Sequence, residues 1–464
     1  MEWERLLSKE RYVKQTDENE DNYRNDYDTI ICSTLFRRLQ DKAQMFPLEE
    51  DDYVRTRLTH SLEVSAIGKR LGERVFRQLR DQNRDNWFSC HWEKEFSDVL
   101  LCAGLVHDIG NPPFGHFGEY AVREWFQAHL KELKLGKKQA LELLSPWQIQ
   151  DLYHFEGNAQ SLRLLSRTPY LGRMEGFCLS FAVLAAIIKY PVSSVEMLEG
   201  TKGHYRKMGY HWSERGLFEA VNETTGMNGR RHPLSFLLEA ADDIAYRTSD
   251  LEDAMVKKVL DFSVIIRELE RYTQMLENQS GQDVRKCVTS LKELYRQELS
   301  SSGRKPELTA VQRWNRLMQE AMVTDAANAF VKQYDRIMNG TLEGDLFEGT
   351  VSGHIIQAIS ELSEKYIYTS SAKIKTELFG RRVIDSLLGQ FMTAAVKYDT
   401  DEPATFIDQR SMDMISGFYK GMYLEEAKGK LAGDKLYLRI LMVTDYISGM
   451  TDNYARKLYK ELFG

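Results

Sequence analysis

Residues Leu100–Glu119 read LLCAGLVHDIGNPPFGHFGE. An apolar run stops at His107-Asp108, a Gly/Pro loop follows, and His116 and Glu119 come next at i, i+3 spacing as a further helix begins. Core packing gives no reason to set two histidines and two carboxyl groups around a stiff loop at the end of a buried segment. Metal chemistry does, provided that the remaining ligands lie elsewhere in the chain.

The surrounding sequence is that of a helical globular protein. Its 464 residues are 42% hydrophobic and 28% charged, enough for a large core and one to three domains. Only nine prolines occur, and long stretches carry apolar residues at helical spacing while few alternate. His60, Val64, Ile67, Leu71 and Val75 form one such stripe. A second helix is expected from about Ser97, as N-cap, to His107, with Gly110 as its stop. EGFCLSFAVLAAIIKYP predicts a buried helix closed by Pro191, and a further helix opens after Pro233. The C-terminal third, including KLYLRILMVTDYISGMTDNYARKLYKEL, also reads as helical. Exposed connections are expected near Gly281 and Gly303, the second dividing a catalytic core, residues 1–300, from a C-terminal helical region, residues 301–464. The expected class is all-α.

Several function classes are disfavoured. No run of about 18 apolar residues predicts a membrane span, and the charged N-terminus MEWERLLSKERYVKQ lacks the apolar centre of a signal peptide. Cys32, Cys90, Cys102, Cys178 and Cys287 form no CxxC pair, which points to a reducing cytosol and away from zinc-thiolate or disulfide frameworks. A net charge of −7 gives no general attraction for nucleic acid, so an anionic ligand needs local Lys and Arg or a metal.

Three further features strengthen the metal reading. His60 lies on the apolar stripe of its own helix, with Arg57 one turn earlier on the same face. A lone inward His is more often a hydrogen-bonded core residue, but an inward Arg beside it suits an anion over a metal. Asp242, Tyr246 and Asp250 share one face of a helix whose Ala240, Ala241, Ile244 and Ala245 mark it as buried, and a buried carboxylate needs a cation or donors. Pro112, Pro113, Gly115 and Gly118 fix the path of the loop before His116 and Glu119, which suits a positioned acid/base pair as well as a plain helix cap. His60, His107, Asp108 and Asp242 together offer two imidazoles and two carboxylates, a set for Mn, Fe, Co, Zn or Mg.

The pattern H…HD…D is the signature of HD-domain metal-dependent phosphohydrolases. FRRLQDKAQMFPL, VRTRLTHSLEV, AGLVHDIGNPPFGHFGE, HFEGNAQSLRLL, EAADDIAYRTSDLEDA and DYISGMTDNYA, in order from about Leu35 to Ala455, closely resemble the bacterial deoxyguanosinetriphosphate triphosphohydrolases. From about Leu260 to Gly380 no motif can be placed. The resemblance implies an HD-domain helical enzyme that converts a deoxynucleoside triphosphate, dGTP above all, and water to deoxynucleoside and inorganic triphosphate. It implies His60, His107, Asp108 and Asp242 as metal ligands, with Asp243 a rival for the last place, and Mn²⁺ or Mg²⁺ as the metal. It implies His116 and Glu119 as the catalytic pair, and Arg57 at the α-phosphate. Gln44, Tyr246 and Asp250 would line the deoxyribose pocket, and Lys189, Tyr190, Lys207 and Asn158 would meet the phosphate tail. It also implies a homo-oligomer, commonly a hexamer, and, as in some members, a response to single-stranded DNA. Other HD hydrolases, such as nucleoside monophosphatases or cyclic-nucleotide phosphodiesterases, need no basic row for a triphosphate, and a non-enzymatic helical protein needs no complete metal set.

Overall fold

The computed structural model describes residues 1–13, 22–49, 51–169, 176–200, 205–276, 278–301 and 305–464. The class is all-α: helices form nearly all the regular structure, and the one sheet among the described residues pairs Lys134–Leu135 with Lys138–Gln139. No helix is long and apolar enough to cross a membrane among those residues.

The helix that carries His60 runs from Arg57 to Asp81. Thr56 caps it by accepting from the Thr59 amide, while the Thr59 side chain answers to the Thr56 backbone. Its buried stripe is the expected one, His60, Val64, Ile67, Leu71 and Val75. It packs on the helix Glu93–Val106, and the two backbones come very close where Gly104 faces Ser65: a Cβ at 104 would lie 2.6 Å from Ser65 Cα. The helix Pro233–Val256 opens with proline at its first turn and His232 as cap, and lays Ala240, Ala241, Ile244 and Ala245 against the same core.

Three local expectations need correction. The helix before His107 starts at Glu93 rather than near Ser97; a 3₁₀ turn, Cys90–Trp92, feeds it, and Glu93 and Glu95 supply the negative charge its first turn favours. Ser97 is buried inside it. In EGFCLSFAVLAAIIKYP only Phe181–Ile187 is helical, and Glu175 lies outside the described residues. Ile188 leaves the helical conformation, so Lys189 and Tyr190 sit on a loop and Pro191 is not the stop. Gly281 is buried within the helix Asn278–Ser300 rather than on an exposed connection. Gly303 lies outside the described residues. The C-terminal stretch is helical as expected, in two helices, Ala432–Ser448 and Asp452–Phe463, parted at Gly449.

The apolar interior forms two clusters. One gathers the His60 helix, Glu93–Val106, Pro233–Val256 and Pro306–Lys332. The other joins Phe114, Trp125 and Phe126 to Val383–Val396 and Leu436–Met450. The second cluster thus draws on residues 114–155 as well as on residues 383–458, so the two clusters do not follow each other along the sequence. Arg163, on the helix Gly157–Arg167, ties the C-terminal helices to the rest through ion pairs with Glu214 at 3.0 Å, Glu426 at 3.1 Å and Asp445 at 2.8 Å. Arg163 is itself buried, so these carboxylates, together with the Ser213 hydroxyl to which it also donates, compensate its lost hydration.

Candidate active site

His107 directly follows the helix Glu93–Val106, and its ring centroid lies 5.3 Å from that of His60. Its Nδ1 faces the Gly104 carbonyl at 2.8 Å. A carbonyl only accepts, so Nδ1 carries the proton and Nε2 presents a lone pair. That Nε2 is buried without a hydrogen-bond partner. It points at Asp242 Oδ1, 3.7 Å away, which lies 3.0 Å from His60 Nε2. One donor atom each from His60, His107 and Asp242 falls within 4.8 Å of the others. An orphaned imidazole nitrogen facing a second imidazole and a carboxylate fits a divalent ion.

Asp108 sits at the edge of this group. Its Oδ1 is 3.7 Å from His107 Nε2 and its Oδ2 is 4.0 Å from His60 Nε2. Arg57 donates to Oδ2 and Asn111 to Oδ1, so this carboxylate is divided between the cluster and two donors. Burial alone would raise its pKa; the Arg57 guanidinium leads the positive charges that outweigh burial and hold it well below the usual range. Asp243 faces Arg247 instead, at 3.8 Å, and burial and the adjacent Asp242 push it up to about 7. Of the two rivals, it is Asp242 whose carboxylate oxygen approaches both histidines.

The loop after Asp108 is held at fixed spacing. A Cβ at Gly118 would lie 2.0 Å from the Pro113 carbonyl oxygen, so this residue lets the first turn of the helix Gly115–His129 fold back on the loop. His116 projects outward, its side chain 79% exposed, while that of Glu119 is 4% exposed. His116 Nδ1 and Glu119 Oε2 are 3.3 Å apart. Glu119 also accepts from the Gly157 amide at 2.7 Å and pairs with Arg123 at 3.1 Å. Burial opposes its ionisation, but His116, Lys207 and Arg123 bring its pKa down to about 2. The result is a charged, fixed carboxylate behind a solvent-facing imidazole.

One cavity of about 610 Å³ collects these groups, a size that suits a nucleotide. Gln44, Arg57, His107, Asp108, His116, Asn158, Lys189, Tyr190, Lys207, Asp242, Tyr246 and Asp250 all line it, with His60 and Glu119 just behind its wall. Sequence reasoning missed what neutralises the two lysines. Lys189 pairs with Glu239 at 2.6 Å, and Lys207 with Glu156 at 3.0 Å, to which Asn158 also donates. It also missed the far wall. Tyr368 donates to Asp250 at 3.1 Å, Lys373 donates to the Met45 carbonyl at 3.0 Å, and Glu377 lies beside Lys373 at 3.6 Å. A π-turn, Ser363–Ile367, precedes Tyr368. These three residues come from the span without motifs and from beyond residue 300. Arg247, stacked on Tyr246 at 4.4 Å, was within reach of sequence reading because it stands next to it.

The HD domain family matches residues 57–162, a span that contains His60, His107, Asp108, His116, Glu119 and Asn158. The chain is 39% identical to a deoxyguanosinetriphosphate triphosphohydrolase-like protein of Listeria monocytogenes, over 100% of both chains. It is 34% identical to a protein of the same description from Pseudomonas aeruginosa, over 100% of this chain and 99% of the other. It is 29% identical to the deoxyguanosinetriphosphate triphosphohydrolase of Serratia proteamaculans, over 95% and 93%. With this identity along its whole length and the HD segment around its histidines, the chain belongs to the family of deoxyguanosinetriphosphate triphosphohydrolases and triphosphohydrolase-like proteins.

Proposed function

We propose that the protein hydrolyses dGTP, and other dNTPs less readily, to deoxynucleoside and inorganic triphosphate with Mn²⁺ or Mg²⁺ as cofactor. The observation that carries this reading is the meeting, in one cavity, of the His60–His107–Asp242 donor group, the outward His116 and the two lysines. When bound, a divalent ion at His60, His107, Asp108 and Asp242 polarises a phosphoryl oxygen and supplies hydroxide at neutral pH.

The chain's own residues do the rest. Arg57, fixed by Asp108, presents its guanidinium to the α-phosphate. Attack in line expels the sugar 5′-oxygen, a poor leaving group, and His116 protonates it; such acid catalysis contributes ~10²–10⁴-fold. Glu119 orients the His116 ring. Lys189, Lys207, Tyr190 and Asn158 bind the phosphate tail, with Glu239 and Glu156 holding the lysines extended. Tyr246 packs against the sugar and excludes a 2′-hydroxyl, Asp250 meets the 3′-hydroxyl, and Gln44, whose Oε1 is buried without a partner, offers that acceptor to the sugar. By resemblance the reading includes a cytoplasmic homo-oligomer, hexameric in many relatives, and a response to single-stranded DNA.

One observation favours a different HD hydrolase: both lysines already carry a carboxylate, which weakens the field for a triphosphate. Turnover with Mn²⁺ and each of the four dNTPs, GTP and dGMP, followed by phosphorus NMR, separates the readings. Inorganic triphosphate from dGTP and little from GTP is the expected result. Phosphate from dGMP alone would assign the site to a monophosphatase.

A further inference from the structure

Asp452, at the start of the last helix, is 2% exposed and does not line the cavity. Its two oxygens are divided between two distant segments. Oδ1 accepts from the Phe114 amide at 2.9 Å and Oδ2 from the Ala43 amide at 3.1 Å. Each of these segments carries cavity residues. Ala43 precedes Gln44 and pairs with Thr56, the residue before Arg57. Phe114 precedes the helix that presents His116. Phe114 is also in the left-handed region, φ 65°, where a bulky side chain is strained and needs its surroundings to hold it.

A second tie joins the same segments. Buried Lys42 donates to the Asn111 carbonyl and to the Ser448 carbonyl, each at 2.6 Å, and Asn111 in turn donates to Asp108. Residues 448–452 thus bind the Gln44–Arg57 side of the cavity to its His116 side. Each tie is a buried polar side chain hydrogen-bonded to backbone atoms, and the two segments are otherwise loops. We propose that Asp452 is a positioning residue that sets the distance between His116 and the Arg57–Gln44 wall; the inference rests on the reaction proposed above. No other side chain can take this place with one oxygen: Asn would turn an NH₂ towards one of two buried N–H groups.

The test compares Asp452→Asn with Asn453→Ala, which removes only the neighbouring bond from Asn453 to Asp41. A displacement of about 1 Å at a reacting group costs on the order of 10²-fold. The Asn variant should therefore lose ~10–100-fold in kcat on dGTP with Mn²⁺. Its Mn²⁺ affinity by calorimetry should change less than about twofold, because Asp452 touches none of His60, His107 and Asp242. Amide exchange should rise in peptides spanning 41–46 and 111–119 but not in Pro233–Val256, and Asn453→Ala should keep kcat. A kcat close to that of the unmodified enzyme, unchanged exchange in both loops, or an equal loss in Asn453→Ala would overturn the assignment. Should Asp452→Asn not fold, the unmodified protein decides: the Ala43 and Phe114 amides must exchange as slowly as those of Pro233–Val256, and rapid exchange of both refutes the tie. Exchange is read without turnover, so a protein inactive on every dNTP would sink the proposed reaction and leave this inference to be judged on its own.

Discussion

Replacing His116 with alanine separates chemistry from stability unusually well in this site. The side chain is 79% exposed, so little packing is lost, and among the described residues its polar contact is Glu119 at 3.3 Å. Removing it does not strand the buried carboxylate, which keeps Arg123 at 3.1 Å and the Gly157 amide at 2.7 Å. The stability cost is at most that of one modest hydrogen bond, ~0.5–1.5 kcal/mol. In a chain this long that shifts Tm by about 2 °C or less. Against this stands loss of the acid that protonates the 5′-oxygen, ~10²–10⁴ in kcat, or ~3–5 kcal/mol of barrier at ~1.4 kcal/mol per tenfold. The assay is single-turnover release of inorganic triphosphate from dGTP with Mn²⁺, beside calorimetric Mn²⁺ binding. A nitrophenyl phosphate ester adds a control, because nitrophenolate leaves without protonation and its hydrolysis should be nearly indifferent to the substitution. If His116→Ala keeps more than a tenth of kcat, or loses Mn²⁺ together with activity, the imidazole is not the acid and the reasoning fails.

Further outcomes follow from the same geometry. His107→Ala removes the orphaned Nε2 and should weaken Mn²⁺ binding more than ~10²-fold, since changes even to outer partners of metal ligands cost 10–100-fold; circular dichroism should show the helices intact, and unaltered metal affinity would exclude His107 as a ligand. Tyr246→Ala should reduce the preference for dGTP over GTP roughly tenfold or more, measured as the ratio of kcat/KM values, and an unchanged ratio would move the 2′-hydroxyl gate elsewhere. Burial pushes Asp151 up from 3.8 to about 7, although Ser194, Trp212 and Tyr437 donate to it. The folded chain holds that proton between pH 4 and 7 while the unfolded chain has lost it, so this carboxyl lowers stability as pH rises through the window. Asp151→Asn titrates in neither state, so its Tm relative to the parent should climb from pH 4 to pH 7; a constant offset would contradict the shift.

The parts of this molecule that were legible in the sequence are those set by local period or by dense motif. The His60 stripe fixed which face turns inward, and the helix phase of Asp242, Tyr246 and Asp250 placed one wall of the cavity. Starts and stops were less legible. Ser97 is a good cap by type, but the 3₁₀ turn ahead of Glu93 had already begun the helix. The run through Phe181 is apolar enough for a long helix, yet it ends at Ile187, where Ile188 departs from helical dihedrals. Tertiary partners were least legible. Glu156 and Glu239 are two among 69 acidic residues, and nothing near them in sequence marks them as partners of Lys207 and Lys189. Tyr368, Lys373 and Glu377 reach the cavity only because their segment packs over Met45 and Asp250, contacts that no periodicity encodes.

The two apolar clusters divide the proposed chemistry between them. His60, His107 and Asp242 are mounted on helices of the first cluster, whereas His116 rides on a helix whose Ala121, Val122, Trp125 and Phe126 belong to the second. On the proposed reaction, the metal ligands and the proton donor would thus rest on different clusters, joined among other contacts by the loop from Asp108 to Phe114 and by the ties to residues 448–452. A slip of one foundation against the other alters the gap between them while each stays whole. On the proposed reaction, a mutation that shifted this alignment would change the catalytic rate while leaving metal affinity and substrate affinity as they were.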